Sequence, residues 1–253
     1  MSSLFVAWHA NNPPVWGPVG RLDYESGPGP DSGVYRFQYT RGARTLAGFE
    51  PFDGMNDLEQ IYESNELFPL FKNRLLPAGR SDFRDYLTWS GFDPDDPPEP
   101  LVILGRTEGR KQTDAVEMFP CPEPDSRGCY SNLFFAHGIR YMFPNAGPVL
   151  VELRRGDDLE LRPHPLNPAD PNAMAIFGSN TPLGYVPRYL AADVKRLVNE
   201  CPTQEVKLTV DSVNLDAPMQ QRLLCRLRAC WPAEFQPCQG VEFEPLVSKV
   251  RTG

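Results

Sequence analysis

Chemistry-bearing side chains concentrate between residues 138 and 188 of this 253-residue chain. Arg140 and Arg188 are cations. Tyr141, Tyr185 and Tyr189 offer flat aromatic faces. Asp170, set between Asn167 and Asn172, is a lone carboxylate. Cations pair with phosphates, and aromatic faces stack on unpaired bases. A carboxylate accepts a hydrogen bond from a free hydroxyl and repels a phosphate at the same point. One acid among cations therefore distinguishes a terminal 3′ hydroxyl from a strand that continues. The same residues have a second reading. Asn167, Asp170 and Asn172 are turn formers whose side chains bond their own backbone, and Pro168 and Pro171 stiffen such a turn. Gly184 can serve a strand bend alone, and Tyr189 and His164 suit a structural role better than a binding one.

Other chemistries find little support. The chain has no GxxxxGK(S/T), no GxSxG and no HExxH. The acid pairs Asp95-Asp96 and Asp157-Asp158 lie in turn-like surroundings. Six cysteines (121, 129, 201, 225, 230 and 238) include no CxxC, and the three histidines (9, 137 and 164) are far apart, so neither a zinc site nor any other cofactor is expected. The segment Met1-Ser2-Ser3-Leu4-Phe5-Val6-Ala7-Trp8 lacks the basic start of an export signal. The expected location is cytoplasmic, with reduced thiols, and no apolar run is long enough to cross a bilayer.

The formal charge of −8 argues against a general nucleic-acid binder, but it is unevenly placed. Residues 1–128 hold 12 basic and 20 acidic side chains, whereas residues 129–253 hold 13 of each. The whole acidic excess lies in the first half, leaving the second free to build a locally basic groove. Prolines number 28, about twice ordinary usage. They cluster at breaker-rich stretches, the last being Cys121 to Asp125. That stretch coincides with the charge change and predicts a boundary near residue 125, dividing the chain into units 1–125 and 126–253.

The elements that would carry the site follow from periodicity. Leu4–Trp8, Val19–Tyr24 and Val34–Thr40 read as strands. Asn65 is placed to cap a helix over Glu66–Leu76, and Ser81 to cap another. Pro100–Arg106 reads as a short helix and Ala115–Phe119 as a strand. In the second half Leu133–Ile139, Val149–Leu153, Leu159–Pro163, Ala173–Phe177 and Leu183–Val186 read as strands, and Arg188–Asn199 as a helix. Val206–Val213 and Gln221–Ala229 read as a hairpin, although Met219, Leu223 and Leu227 also fit a helix. Arg222, Arg226 and Arg228 fall on one face of that last strand. They either extend a phosphate track or form the solvated side of an edge strand.

The ordered motifs Gly138-Ile139-Arg140-Tyr141, Gly156 to Leu161, Asn167-Pro168-Ala169-Asp170-Pro171-Asn172-Ala173 and Gly184-Tyr185-Val186-Pro187-Arg188 resemble the HIRAN domain over about residues 132–200. The resemblance implies a small OB-like β-barrel that grips the free 3′ end of single-stranded DNA. In that family the position of Asp170 reads the end and that of Asn167 lines the pocket, while those of Arg140, Tyr141, Tyr185 and Arg188 lie along the strand path. Ala169 departs from the pattern, since DNA-binding members usually carry an aromatic there, and Leu166 replaces a common polar residue.

The first half, through the series Val19-Gly20-Arg21-Leu22, Tyr35 to Tyr39 and Phe71 to Arg80, is similar to the N-terminal subdomain of HipA-type bacterial toxin kinases. In that family the subdomain packs and binds partners. The kinase core that follows it there is absent here.

Together these readings predict an α+β protein with an N-terminal small sheet with helices and a C-terminal HIRAN-like, OB-like β-barrel with one helix. The expected role is a non-enzymatic, bacterial-type adaptor. It would hold single-stranded DNA 3′ ends by Arg140, Tyr141, Asn167, Asp170, Tyr185 and Arg188, and dock a protein partner through the acidic unit. The alternative is a protein-interaction module of a toxin–antitoxin or phage-defence system that binds no nucleic acid.

Overall fold

The computed structural model describes residues 2–11, 14–29, 32–111, 115–142 and 145–247. The chain divides into two units. One comprises residues 1–76, 98–121 and 238–253, the other 77–97 and 122–237. The sequence-based boundary near 125 does not include the two exchanged segments. Residues 77–97 are fixed within the second unit where Asn214 Nδ2 donates to the carbonyl of Trp89 at 3.0 Å. The tail belongs to the first, where Leu246 N donates to Tyr39 O at 2.9 Å.

The first unit is a five-stranded antiparallel sheet. Its strands are β1 (Ser2–Asn11), β2 (Pro14–Glu25), β3 (Val34–Tyr39), β4 (Tyr62–Ser64) and β5 (Val116–Phe119), in the order β4-β3-β2-β1-β5. Short helices α1 (Gly42–Thr45) and α2 (Pro69–Lys72) join it, as does α4 (Pro100–Thr107); α3 (Phe83–Trp89) lies in the second unit. Leu22, Phe37, Tyr39, Phe71, Leu104 and Met118 share its core. The helix expected over Glu66–Leu76 is only the turn α2. Pro69 holds Phe68 extended, with ψ of 142°, because a residue before proline avoids helical backbone. Asn65 therefore caps nothing, and Ser81 does not cap α3, whose N-cap position is Asp82 with no side-chain cap.

The second unit holds β6 (Tyr130–Phe135), α5 (Ile139–Met142), α6 (Ala146–Glu152), β7 (Asp158–Pro163), β8 (Met174–Gly178), β9 (Thr181–Tyr185), α7 (Arg188–Glu200), β10 (Lys207–Val213) and β11 (Leu223–Ala229). Its six strands form one antiparallel, curled half-barrel in the order β6-β11-β10-β7-β8-β9. Register shifts at Val210/Ser212 and Ile176/Phe177 are the irregularities that bend and twist a sheet. The core gathers Phe134, Ile139, Leu150, Met174, Ile176, Leu183, Leu190, Val194, Leu197, Leu223 and Leu227.

The strand expected at Val149–Leu153 is instead the helix α6. Ala146 and Leu150, four apart, are buried while Val151 is exposed, a helical face rather than an alternation. The ambiguous segment near 221–229 is the strand β11. It lies inside the sheet, between β6 and β10, so its arginines do not line an edge. Arg226 is paired with Asp211 at 2.8 Å, and Arg222 lies outside the strand. The expectation of reduced cysteines is corrected at one pair. Cys201, at the end of α7, and Cys230, just after β11, are joined as a disulfide; both ends are packed with the core, which brings them together.

Among the described residues no helix is long and apolar enough to cross a membrane.

Candidate nucleic-acid interface

The loop between β7 and β8 is closed like a clasp. His164 N donates to Ala173 O at 2.8 Å, Asn167 N to His164 O at 3.0 Å and Ala173 N to Asp170 O at 3.1 Å. Inside it the side chains act as turn formers. Asn167 Oδ1 accepts from Ala169 N at 2.9 Å and from Asp170 N at 3.3 Å, and Asp170 Oδ1 accepts from Asn172 N at 2.8 Å. The turn-former reading is therefore correct for one oxygen each of Asn167 and Asp170, but not for Asn172, whose Oδ1 accepts from Lys195 instead. It leaves the Asn167 amide nitrogen and the second oxygen of half-buried Asp170 without a partner among the described residues. A donor and an anionic acceptor remain for a ligand. Leu166 stands 88% exposed in the same loop.

Tyr185, the last residue of β9, is the hub of the site. Its backbone exchanges two hydrogen bonds of 2.9 Å with His137, which carries the turn into α5 alongside. Gly138, at φ +74°, makes that turn in a backbone region open to glycine. The Tyr185 hydroxyl lies 3.0 Å from His164 Nδ1 at the mouth of the clasp, with the two rings near parallel. Two residues on, Pro187 leads into α7, whose first residue is Arg188, at the positive end of the helix dipole. On α5, Tyr141 is 72% exposed. The Arg140 guanidinium sits 4.5 Å from the centre of its ring and donates to its hydroxyl.

Backbone pairing thus gathers the Asn167–Asp170 loop, Tyr185, Arg188 and the Arg140–Tyr141 pair around one end of the half-barrel. Tyr189 is turned partly onto the core. Two contributors escaped the sequence reading. The sequence suits His164 to a structural role, and its partner Tyr185 is 21 residues away. Lys195 on α7 donates to Asn172 Oδ1 at 3.1 Å, fastening helix to loop. Nothing in the local sequence around Lys195 indicates that it meets Asn172, 23 residues away. Among the described residues no three His, Cys, Asp or Glu side chains come together as a metal site.

The helix that backs the site carries one unusual acid. Burial pushes the Asp193 carboxyl from the ordinary 3.8 up to about 6, only partly opposed by Arg196. Its folded-state value lies above its unfolded one, so folding favours the neutral acid over the carboxylate. The stability it contributes is complete below about pH 4 and is lost as pH rises through about 6. Asp193→Asn is therefore expected to be more stable than the parent above pH 6, by about 3 kcal/mol at most, with the two converging near pH 4. Urea unfolding at a series of pH values checks this; a difference that does not vary with pH contradicts it.

Residues 130–227 match the family model of the HIRAN domain. The match covers β6 through most of β11 and contains all six residues named above. Among solved structures, the crystal structure of the HIRAN domain of human HLTF is similar at 16% identity. The similarity covers 42% of this chain and 83% of that one, with a TM-score of 0.28. No curated protein matches. HIRAN domains bind DNA. The segment whose motifs resemble the HIRAN domain is thus the one that the family model of that domain matches.

Proposed function

We propose that this HIRAN-like domain binds single-stranded DNA with preference for a 3′ hydroxyl end, and that the chain acts as a non-enzymatic adaptor whose acidic N-terminal unit docks a protein partner. The observation that carries the DNA reading is the state of Asp170. One oxygen is spent on the loop, and the other faces no donor among the described residues. A 3′ hydroxyl donates to that oxygen. Arg140 and Arg188 attract the phosphates that precede it, and Tyr141 supplies a stacking face. Because Ala169 brings no ring, the exposed Leu166 offers the apolar contact on the loop side.

Anisotropy titration of single strands ending in 3′ hydroxyl or 3′ phosphate tests the reading. The hydroxyl end is expected to bind about ten-fold tighter, the worth of one hydrogen bond to a charged group, and Asp170→Asn to erase the difference. Equal, weak binding of both ends that vanishes with salt removes the end-reading claim. No binding at all favours the second reading, a protein-interaction module, which the missing ring at Ala169 supports. For the docking half, the acidic excess favours a basic partner surface, and an association that weakens as salt rises is its signature.

A further inference from the structure

We propose that His164 is a positioning residue for DNA, acting through Tyr185. This rests on the DNA reading above and assigns a role within the same site. The His164 Nδ1 to Tyr185 hydroxyl distance is 3.0 Å, and the rings lie 13° from parallel. A phenol has one proton to give. A phosphate oxygen only accepts, so the Tyr185 proton must turn outward to reach it. The phenol oxygen then needs a donor behind it, and His164 Nδ1–H is the group in place. The chain His164 Nδ1–H to Tyr185 O–H to phosphate is a relay in which each hydrogen bond polarises the next. Without DNA the direction can reverse, with the phenol donating to an unprotonated Nδ1. The strand thus selects the tautomer that makes Tyr185 a donor.

The surroundings keep the pair in register. The His164 amide is tied to Ala173 O, and the Tyr185 amide and carbonyl are both tied to His137, so neither ring's backbone is free to drift. The clasp that His164 opens is also the one that holds Asp170. The relay therefore fixes the distance between the phosphate contact and the end-reading carboxylate.

The test is a double-mutant cycle in the full chain, using a single-stranded oligonucleotide with a 3′ hydroxyl. Tyr185→Phe and His164→Ala are each expected to weaken binding about ten-fold, and the double variant to be no weaker than either alone. His164→Asn keeps an N–H near the place of Nδ1 and is expected to bind within about two-fold of the parent. Nitrogen-15 shifts of the His164 ring report the tautomer and are expected to show Nδ1 gaining its proton when the oligonucleotide is added. Should His164→Ala fail to fold, the asparagine variant and the ring shifts decide the matter. Additive losses, an asparagine variant as weak as Tyr185→Phe, or an unchanged Nδ1 signal in a protein that still binds overturn the relay and leave the DNA reading standing. A parent chain that binds no single strand overturns both.

Discussion

Tyr141→Ala is expected to lose roughly ten- to hundred-fold in affinity for single-stranded DNA, the worth of one stacked base at about 1–3 kcal/mol. Tyr141 is 72% exposed on a helix of a single turn, a costly place for a large ring unless something covers it. Its removal takes away no core contact, so the thermal unfolding midpoint should stay where it is while binding falls. Arg140 shares the effect. Its guanidinium lies over the ring and bonds the hydroxyl, holding the face in one orientation while presenting charge to the backbone. Arg140→Ala should weaken binding across all sequences and lower the slope of log affinity against log salt by about one. Arg140→Lys should recover the slope but not the full affinity, since an ammonium cannot lie flat on the ring and fork toward the hydroxyl as a guanidinium does. Titrations at several salt concentrations separate the two effects. A Tyr141→Ala protein that binds like the parent would place the stacking face elsewhere.

How much of this was legible in the sequence depends on the range of the interaction. The alternation at Tyr35, Phe37 and Tyr39 gave β3, and the apolar stripe Leu190, Val194 and Leu197 gave α7, because burial of one face is a local pattern. The Asn167–Asn172 turn was readable because Asn and Asp bond backbone within three residues. Long-range facts were not readable. Nothing in the run Val149-Leu150-Val151 distinguishes a strand from the helix it forms, since the deciding partner is Ala146 and the face it packs on. Nothing marks Cys201 and Cys230 as neighbours, because their meeting depends on where α7 ends relative to β11. Asp170 stands out in the sequence as a candidate by its motif. That one oxygen of its carboxylate is taken up by its own turn depends on how the loop closes in three dimensions. The His164 contact was missed for the same reason, since a lone histidine in a proline-rich loop carries no periodic signal.

Gly184→Ala is expected to destabilise the second unit by about 2–4 kcal/mol and to abolish DNA binding with it. The argument is steric rather than conformational. A Cβ at Gly184 would stand 2.6 Å from the carbonyl oxygen of His137 and 3.4 Å from the Ala136 Cβ. The first of these is backbone, which cannot swing aside as a side chain can. Relief requires strand β9 to separate from residues 136–137, which breaks the paired bonds between His137 and Tyr185 and releases α5 with Arg140 and Tyr141. Gly156 provides the contrast. It holds φ at +92° with nothing within 4 Å of its missing Cβ, so Gly156→Ala meets only the backbone penalty of about 1 kcal/mol and lies away from the α5–β9 bridge. Amide exchange at Tyr185 and His137 distinguishes the two variants. Protection should collapse in Gly184→Ala and persist in Gly156→Ala. If exchange and DNA affinity respond alike in both, the close approach of β9 to the turn before α5 is not what assembles the binding face.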